Sequence, residues 1–335
     1  MNPVKAIGSV KPLIKKILGM LFTLLIVFPA FAFAAAEIAY PSKPVRLIIP
    51  LSPGGSNDIV ARLVATKLSE RLGQPLVPEN YAGAGGTIGA EMVAKAKPDG
   101  YTLLLGSVAT MINQLFYDKR YDPVKSFTPV AKIGSGPYVL TVHPSVPAKS
   151  LKELILLAKK KPGDLLWAAG GNGSFMHVAV ELFKKTANID FRVVQFKGGG
   201  PAMIDTLGGH SQILLTSVAS ALPHIKSGKL RALALAGPAR SHLLPDVPTI
   251  SEAGVPGYEA IVWWGILAPA GTPKAIVDKL HKELAVILGM EDTKKAFEGQ
   301  GAVVELMGPA SFGKFVEAEA AKWEKVVKEG NIKGE

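Results

Sequence analysis

The stretch VRLIIPLSPGGSNDIVARLVATKLSERL, residues 45–72, has the pattern of a buried strand, a glycine turn and a helix. The apolar run Val45–Pro50 predicts the strand, and Gly54 and Gly55 follow it. From Asn57 to Leu72, apolar residues recur at helical spacing. They are Ile59, Val60, Leu63, Val64, Leu68 and Leu72. The stretch therefore predicts a strand–loop–helix unit, the building block of an α/β protein.

The same alternation of apolar runs with amphipathic segments continues along the chain. Further strands are predicted at Leu76–Pro78, Tyr101–Leu105, Val139–Val142, Leu165–Ala168, Val193–Phe196, Ile213–Thr216, Leu230–Leu235 and Ile261–Leu267. Further helices are predicted at Ile88–Ala96, Leu151–Lys161, residues 175–186, a segment ending at Leu207, Pro273–Leu288 and Pro309–Val327. Strands that alternate with helices indicate an α/β fold with largely parallel sheets. The length of 335 residues is typical of about two domains.

The first 36 residues have the pattern of a secretory signal peptide. Four lysines precede an uncharged apolar run from Ile17 to Pro29, and Ala32–Ala34 supplies small residues at the spacing of a cleavage site. The apolar run is too short for a spanning helix, which needs about 20 residues. We therefore expect export to the periplasm and a mature protein that is not embedded in the membrane.

Composition excludes several classes of function. The sequence has no cysteine, which excludes disulfides, thiolate metal ligands, a cysteine nucleophile and a lipid-bearing cysteine. The net charge of +11 falls to about +7 when the four lysines of the signal peptide are removed. This charge is spread along the chain without a run of five basic residues, so we expect a mild attraction for anions and no nucleic-acid partner.

Three glycine-rich segments stand where a predicted strand passes into a predicted helix: Gly54–Asn57, Gly170–Ser174 and Gly198–Pro201. The glycines let a ligand approach the backbone, and Ser56 is placed to cap the first of these helices. The first N–H groups of a helix have no partner within it, and the helix dipole is positive there. Such ends attract a carboxylate or a phosphate. The alternative is three turns with helix caps.

Several enzyme motifs are incomplete. The segment Gly83–Gly89 misses the third glycine of the dinucleotide-binding pattern and is interpreted as a loop and a helix start. The segment Gly308–Lys314 resembles a phosphate-binding loop, but Phe315 replaces the hydroxyl residue that binds Mg²⁺, so a helix beginning near Pro309 is expected. No two of the six histidines are spaced i,i+4, so no metal site is predicted.

Short motifs in a fixed order extend from about Tyr40 to Gly330. They are Tyr40–Arg46, Pro53–Arg62, Glu79–Asn80, Gly83–Gly86, Pro98–Leu103, Tyr121–Pro123, Gly173–Ser174 with His177, Lys197–Gly198, Pro201–Ala202, Leu207–Gly209, Gly228–Leu233, Leu244–Thr249, Glu252–Gly254, Ala268–Pro269 and Gly271–Pro273. With these motifs the chain resembles the Bug/TctC family, the periplasmic substrate-binding proteins of tripartite tricarboxylate transporters.

The resemblance implies a clamshell of the type II-like periplasmic-binding-protein kind, with two α/β domains joined by crossover strands. Residues 37–135 and 245–335 would form domain 1, residues 136–244 domain 2, and the ligand would lie in the cleft between them. The implied function is binding of a small organic carboxylate, which the receptor delivers to a membrane permease. A monomer without enzymatic activity and without a cofactor is expected.

Family members hold the carboxylate largely through backbone N–H groups and small polar side chains of loops. The resemblance places the ligand at Pro53, Gly54, Gly55, Ser56, Asn57, Ser107, Thr110, Gly171, Asn172, Gly173, Ser174, His177, Lys197 and Gly198. Departures from the family pattern at Leu51, Ala109–Gln114 and Phe175 leave the identity of the carboxylate open. Phe175, Met176 and Trp263 or Trp264 are candidates for an apolar wall of the site, with core or rim positions as the alternative.

Two other functions stay open. A secreted hydrolase would use Ser56 or Ser174 with His177. A nucleotide-binding enzyme would need ATP or NAD, which an exported protein does not meet. If the Ser174 hydroxyl binds a buried carboxylate, Ser174→Ala should weaken ligand binding by about 1–3 kcal/mol.

Overall fold

The computed structural model describes residues 40–117 and 120–333, and the predicted signal peptide lies outside these residues. The described chain alternates between strands and helices, which confirms the predicted α/β class. The strands are β1 (Val45–Ile49), β2 (Leu76–Asn80), β3 (Thr102–Ser107), β4 (Phe127–Val142), β5 (Leu166–Gly170), β6 (Arg192–Phe196), β7 (Ile213–Ser217), β8 (Arg231–Leu235), β9 (Ile261–Pro269) and β10 (Val303–Met307). The helices are α1 (Ser56–Leu72), α2 (Thr87–Ala94), α3 (Val108–Ile112), α4 (Leu151–Lys160), α5 (Phe175–Ala187), α6 (Gly199–Leu207), α7 (Val218–Lys226), α8 (Lys274–Gly289), α9 (Glu291–Gly299) and α10 (Pro309–Gly330).

The described strands form one sheet in the order β2-β1-β3-β9-β4-β7-β5-β6, with β8 and β10 also paired to β4. Strand β4 is 16 residues long. Its first part pairs with β9 and β10, and its last five residues pair with β7. Strand β1 pairs in parallel with β2 and β3, and strand β5 pairs in parallel with β6 and β7. All pairs that involve β4 or β9 are antiparallel, so the prediction of largely parallel sheets is corrected to a mixed sheet.

The strand–loop–helix unit at residues 45–72 forms as predicted. Four of the five residues of β1 are buried, which explains its continuous apolar run. Helix α1 buries Val60, Val64 and Leu68, which lie one turn apart and pack toward the sheet. It ends at Gly73, whose backbone is left-handed with φ of 67° and whose N–H donates to Ser69 O. The unit thus fixes the loop between Ile49 and Ser56 at the carboxyl-terminal end of β1.

The register of the parallel strands brings the other glycine loops together. Gly170, the last residue of β5, lies opposite Phe196, the last residue of β6. Because both strands end at the same edge, the loops that lead into α5 and α6 are neighbours. In the same way β1 and β3 are parallel neighbours, which places the loop after Ile49 beside Ser107 at the end of β3.

By its internal contacts, Pro41–Glu335 forms one compact unit. The predicted division of this unit into two domains stays a prediction. Within residues 40–117 and 120–333, no helix has the combined length and hydropathy that a membrane span requires. The same residues contain no cluster of three His, Asp or Glu side chains that would hold a metal ion.

Candidate ligand-binding site

A small cavity of about 40 Å³ lies beyond the carboxyl-terminal ends of β1, β3, β5 and β6, where the glycine loops meet. It is lined by Leu51, Ser52, Gly55, Ser56, Asn57, Ser107, Ala109, Tyr138, Gly170, Ser174, Phe175, Met176, Gly198, Gly199, Thr216 and Val262. These lining residues include no Asp, Glu, Lys, Arg or His. The cavity is therefore polar through hydroxyl, amide and backbone groups rather than through charged side chains.

Four helices begin at this cavity: the short helix α3, whose capping residue Ser107 lines it, and three helices of nine or more residues. The starts of α1, α5 and α6 all contribute lining residues, and these helices have 17, 13 and 9 residues. Their first N–H groups have no partners within the helix, and the three dipoles present partial positive charge to the same space. An anion in the cavity is favoured by this arrangement, as the sequence predicted for each glycine junction separately.

The caps of these helices differ in one respect from the prediction. Helix α1 begins at Ser56 itself, and its capping residue is Gly55, which has no side chain to offer. The predicted capping role of Ser56 is therefore wrong. Gly55 has an extended backbone (φ −82°, ψ 168°), so Ser56 is the first residue of the helix proper. In that position Ser56 lines the cavity.

At the cavity, Asn57 connects two other buried side chains, Ser107 and Trp264, through hydrogen bonds. Its amide Nδ2 donates to Ser107 Oγ at 3.1 Å, and its Oδ1 accepts from the indole of Trp264 at 3.2 Å. All three side chains are buried. Because both ends of the Asn57 amide are occupied, Asn57 positions Ser107, whose own hydroxyl proton has no acceptor among the described residues. Ser107 can therefore donate to a ligand.

The Ser174 hydroxyl makes both of its hydrogen bonds with backbone groups. Its hydroxyl donates to Gly170 O at 2.6 Å and accepts from the N–H of His177 at 3.2 Å, so it caps α5. A ligand at this point meets the N–H groups of the helix start rather than the hydroxyl proton. His177 is buried, its Nδ1 accepts from Gly173 N at 3.3 Å, and its ring lies 5.6 Å from that of Phe116. His177 lies outside the cavity lining and shapes the loop that leads into α5.

A second cavity, of about 220 Å³, adjoins the first and shares Leu51, Ser174 and Gly198 with it. Gly171 and Lys197 line this second cavity, together with Gly83–Gly86, Tyr117, Gln195 and Phe196. Lys197 is the cationic residue of this lining.

Contacts across the site hold the loops together. Ser52 Oγ donates to Lys197 O at 2.5 Å, and the Tyr117 hydroxyl donates to Asn172 O at 2.8 Å. The approach is close enough to require glycine: a Cβ atom on Gly200 would lie 2.3 Å from Pro53 O. The loop after β1 and the start of α6 are thus in direct contact.

Pro53, Gly54 and Thr110 lie beside the cavity rather than in its lining. Pro53 and Gly54 are exposed, and Gly54 N donates to the Asp58 carboxylate at 3.0 Å. Burial raises the pKa of Asp58, but hydrogen bonds from Arg62 and from Gly54 N outweigh it and hold that pKa below its usual value. Thr110 is buried and its Oγ1 accepts from Ser107 N at 3.2 Å, which supports the turn at Ser107.

Of the residues predicted to form an apolar wall of the site, two line the cavity. Phe175 and Met176 line the cavity, whereas Trp263 and Trp264 lie outside the lining and contact Glu319 and Asn57 through their indole N–H groups.

Sequence reasoning missed Tyr138, Thr216 and Val262, which line the cavity from β4, β7 and β9. A signal was available for Tyr138, because it directly precedes the predicted strand Val139–Val142. The strands were predicted, but their order in the sheet was not, and the order brings these residues to the site.

The chain is similar to a known protein family along most of its length. The model of the TctC family, described as tripartite tricarboxylate transporter family receptor, matches residues 60–332. The protein BugT of Bordetella pertussis is 37% identical over 313 residues, which cover 92% of this chain and 96% of that protein.

Solved structures of similar proteins have the same fold as this chain over most of its length. An R. palustris protein, Rpa4515 with adipate, is 37% identical with a TM-score of 0.85 over 88% of this chain and 99% of its own. The periplasmic binding protein BugD is 32% identical, with a TM-score of 0.84 over 88% and 99%. MatC (Rpa3494) of Rhodopseudomonas palustris with bound malate is 35% identical, with a TM-score of 0.82 over 86% and 100%. The chain therefore belongs to the TctC family of tripartite tricarboxylate transporter receptors and has the fold of its periplasmic binding proteins.

Proposed function

We propose that this receptor binds a small organic carboxylate in the two adjoining cavities where the glycine loops meet and delivers it to the membrane permease of a tripartite transporter. The observation that carries the proposal is the meeting of three helix starts at one cavity whose lining has no acidic side chain. Partial positive charge from three dipoles and unpaired backbone N–H groups stabilises one carboxylate.

The similar structures support the ligand class. Rpa4515 is described with adipate and MatC with malate, and both are small dicarboxylates on the same fold. By analogy the ligand of this chain carries a carboxylate, and the helix starts are its binding groups. Lys197 in the adjoining cavity supplies a further positive charge.

We propose that the chain moves as two lobes, residues 37–135 with 245–335 and residues 136–244. The contacts of Ser52 with Lys197 and of Tyr117 with Asn172 then join the lobes across the cleft. Helix α1 belongs to one lobe, and α5 and α6 belong to the other. A carboxylate between them interacts with all three helix starts only when the lobes are together, so binding favours closure.

The alternative function, a secreted hydrolase, has less support. The hydrolase considered from the sequence would use the His177 ring as the base for its serine. The Ser174 hydroxyl instead donates to Gly170 O, and the group of His177 that it contacts is the backbone N–H. We therefore propose a receptor without enzymatic activity, which acts as a monomer in the periplasm after removal of the signal peptide.

The test is a thermal-shift screen of residues 37–335, refolded to remove co-purified ligand. The acids are citrate, malate, succinate, adipate, glutamate, benzoate and nicotinate; adipamide, ATP, NAD and an ester substrate are the controls. A ligand at a hundred times its Kd adds about 2.7 kcal/mol to the free energy of unfolding. The proposal expects a shift with at least one acid and none with its neutral amide. Equal shifts with acid and amide, or ester turnover that is lost in His177→Ala, would contradict it.

A further inference from the structure

Helix α10 contacts two distant parts of the molecule with one face. Its 22 residues bury a single stripe of side chains along the helix: Phe312, Val316, Glu319, Trp323 and Val327. At 1.5 Å per residue this stripe is about 22 Å long. The two halves of the stripe have different neighbours, and the difference bears on how the proposed lobes are held together.

The first half of α10 packs on strand β9. The Phe312 and Phe315 ring centroids lie 5.7 Å and 5.4 Å from that of Trp263. A Cβ atom on Gly265 would collide with the Phe312 ring, so the helix lies directly against the strand. Strand β9 and α10 both fall in the proposed lobe of residues 37–135 with 245–335. A movement of the lobes leaves these contacts unchanged.

The second half of α10 reaches helix α5, which falls in the other proposed lobe, residues 136–244. The Trp323 ring makes an edge contact with Phe175 at 5.3 Å between centroids. Farther along both helices, Lys185 Nζ donates to Glu329 O at 2.7 Å. In the two-lobe proposal, these contacts form when the lobes come together.

Phe175 connects this contact to the ligand cavity. It is the first residue of α5, it is buried, and it lines the cavity. Its ring also lies 4.9 Å from that of Tyr138, another residue of the lining. The N–H of a first helical residue has no partner within the helix. Trp323 therefore contacts the residue that begins one of the helices proposed to receive the carboxylate.

Trp323 is itself held in a fixed orientation. Its indole N–H donates to Glu319 Oε2 at 3.0 Å, and the same oxygen accepts from the indole of Trp263 on β9 at 3.0 Å. Lys322 donates to the other oxygen of Glu319 at 3.0 Å. Because these hydrogen bonds tie Trp323 to β9, the ring is a rigid surface on which Phe175 can pack.

We propose that Trp323 is a positioning residue that holds the start of α5 at the ligand in the closed state. The inference rests on the proposed function, since it assumes a carboxylate bound between two lobes. Trp323 lies outside the cavity lining, so it acts through Phe175 and does not touch the ligand. Its contact with Phe175 must break before the lobes separate, so its contribution is slower dissociation of the acid. Opening also removes Phe175 from the indole and exposes Trp323 to solvent.

The first test compares Trp323→Leu with Trp263→Leu. Each variant removes an indole that is 2% exposed and donates to Glu319 at 3.0 Å, but Trp263 packs on Phe312 and Phe315 within its own lobe. The ligand is the acid with the largest thermal shift, measured by calorimetric titration and stopped-flow kinetics. Trp323→Leu should raise the Kd by roughly 3- to 10-fold through faster dissociation, with the association rate within about twofold. Trp263→Leu should keep the Kd within about twofold.

Trp323→Phe is the conservative variant, because it keeps an aromatic ring against Phe175. It should recover the wild-type Kd to within about twofold. It also serves a spectroscopic test, since the sequence has four tryptophans. Trp167 packs on Phe183 and Phe191 within residues 136–244, whereas Trp263 and Trp264 have partners within the other lobe. Acid should therefore reduce acrylamide quenching of tryptophan fluorescence in the wild-type protein and have no such effect in Trp323→Phe.

The outcomes separate the inference from the proposed function. An unchanged Kd in Trp323→Leu, an equal loss of affinity in Trp263→Leu, or a loss that Trp323→Phe does not recover overturns the inference while the proposed function stands. The same holds if acid leaves quenching of the wild-type protein unchanged, or if the effect of acid survives in Trp323→Phe. The quenching test decides the matter even where Trp323→Leu fails to fold. Absence of binding by every acid to the wild-type protein overturns the proposed function and the inference with it.

Discussion

Gly200→Ala tests whether contact between the start of α6 and the loop after β1 is needed for ligand binding. A Cβ atom at this position would lie 2.3 Å from Pro53 O, and that atom belongs to the backbone. An ordinary contact between carbon and a carbonyl oxygen is about 3.3 Å or longer, so the two segments would have to separate by about 1 Å. Overpacking of this kind costs about 1–3 kcal/mol.

In the two-lobe proposal this cost falls on the closed state alone. When the lobes are apart, the clash is absent, and alanine within a helix is more favourable than glycine by about 1 kcal/mol. Gly200→Ala should therefore leave the stability of the ligand-free protein unchanged or slightly higher. The Kd of a bound acid should rise by about 5- to 150-fold, which corresponds to the same 1–3 kcal/mol.

The assay is calorimetric titration of the acid that gives the largest thermal shift in the screen, with denaturant unfolding of the ligand-free protein in parallel. Gly289→Ala is the control, since a Cβ atom there would meet nothing within 4 Å. Unchanged or tighter binding by Gly200→Ala would refute the reasoning. A large loss of ligand-free stability would also refute it, because the contact would then be part of the fold in every state.

Three further variants test the packing and the electrostatics around the site. Asn57→Ala leaves the Trp264 indole N–H unpaired and should lower the free energy of unfolding in urea by about 1–3 kcal/mol. Glu319→Ala removes the acceptor of two indole N–H groups, each at 3.0 Å, and should cost about 2–4 kcal/mol in the same assay. Asp58 has a pKa below its ordinary value of 3.8, so its stabilising contribution is present above that value and is lost as the pH falls through the lowered pKa. Asp58→Asn should therefore flatten the loss of stability below about pH 4.

Each of these expectations can fail separately. Wild-type stability in Asn57→Ala would mean that the indole finds another acceptor. A loss below 1 kcal/mol in Glu319→Ala would mean that water reaches both tryptophans. Parallel acid unfolding curves for wild type and Asp58→Asn would show that the hydrogen bonds from Gly54 and Arg62 contribute nothing net.

Local patterns predicted the elements that carry the site. The apolar residues of Ser56–Leu72 and Phe175–Ala187 are sufficient to place helices α1 and α5. Helix α1 buries one face along its length, whereas α5 is buried on all sides over its first six residues and on one side at Phe183. The glycine junctions before them predicted helix starts suited to an anion. The convergence of these starts on one cavity follows from strand order, which no local pattern encodes.

Strand β4 shows why the rest escaped prediction. Only Val139–Val142 was predicted, whereas the strand begins at Phe127. Its earlier part contains proline, glycine and a lysine, which interrupt the apolar pattern. Lys132 is nevertheless buried, because the carboxylate of Glu305 on β10 accepts a hydrogen bond from it. The pairing partner, 173 residues away, compensates for the polar residue.

Helices α7 and α9 were also missed. Helix α7 contains Pro223, which argues against a helix in sequence terms, although Ser217 caps its start. Helix α9 buries little more than Thr293 and Phe297, so its apolar spacing is too sparse to detect. Tyr138 belongs to the same class of non-local information, since its neighbours in the cavity come from distant segments.

The uncharged lining of the cavity has a consequence for how the receptor responds to acidity. Helix dipoles and backbone N–H groups do not titrate, and Tyr138 is the titratable residue of the lining. Burial raises its pKa above the ordinary value of 10. Between about pH 5 and pH 9, the charge of this lining is therefore constant. A change of affinity with pH in that range comes from the bound acid or from residues outside this lining, and the backbone groups that receive the acid keep the same charge throughout.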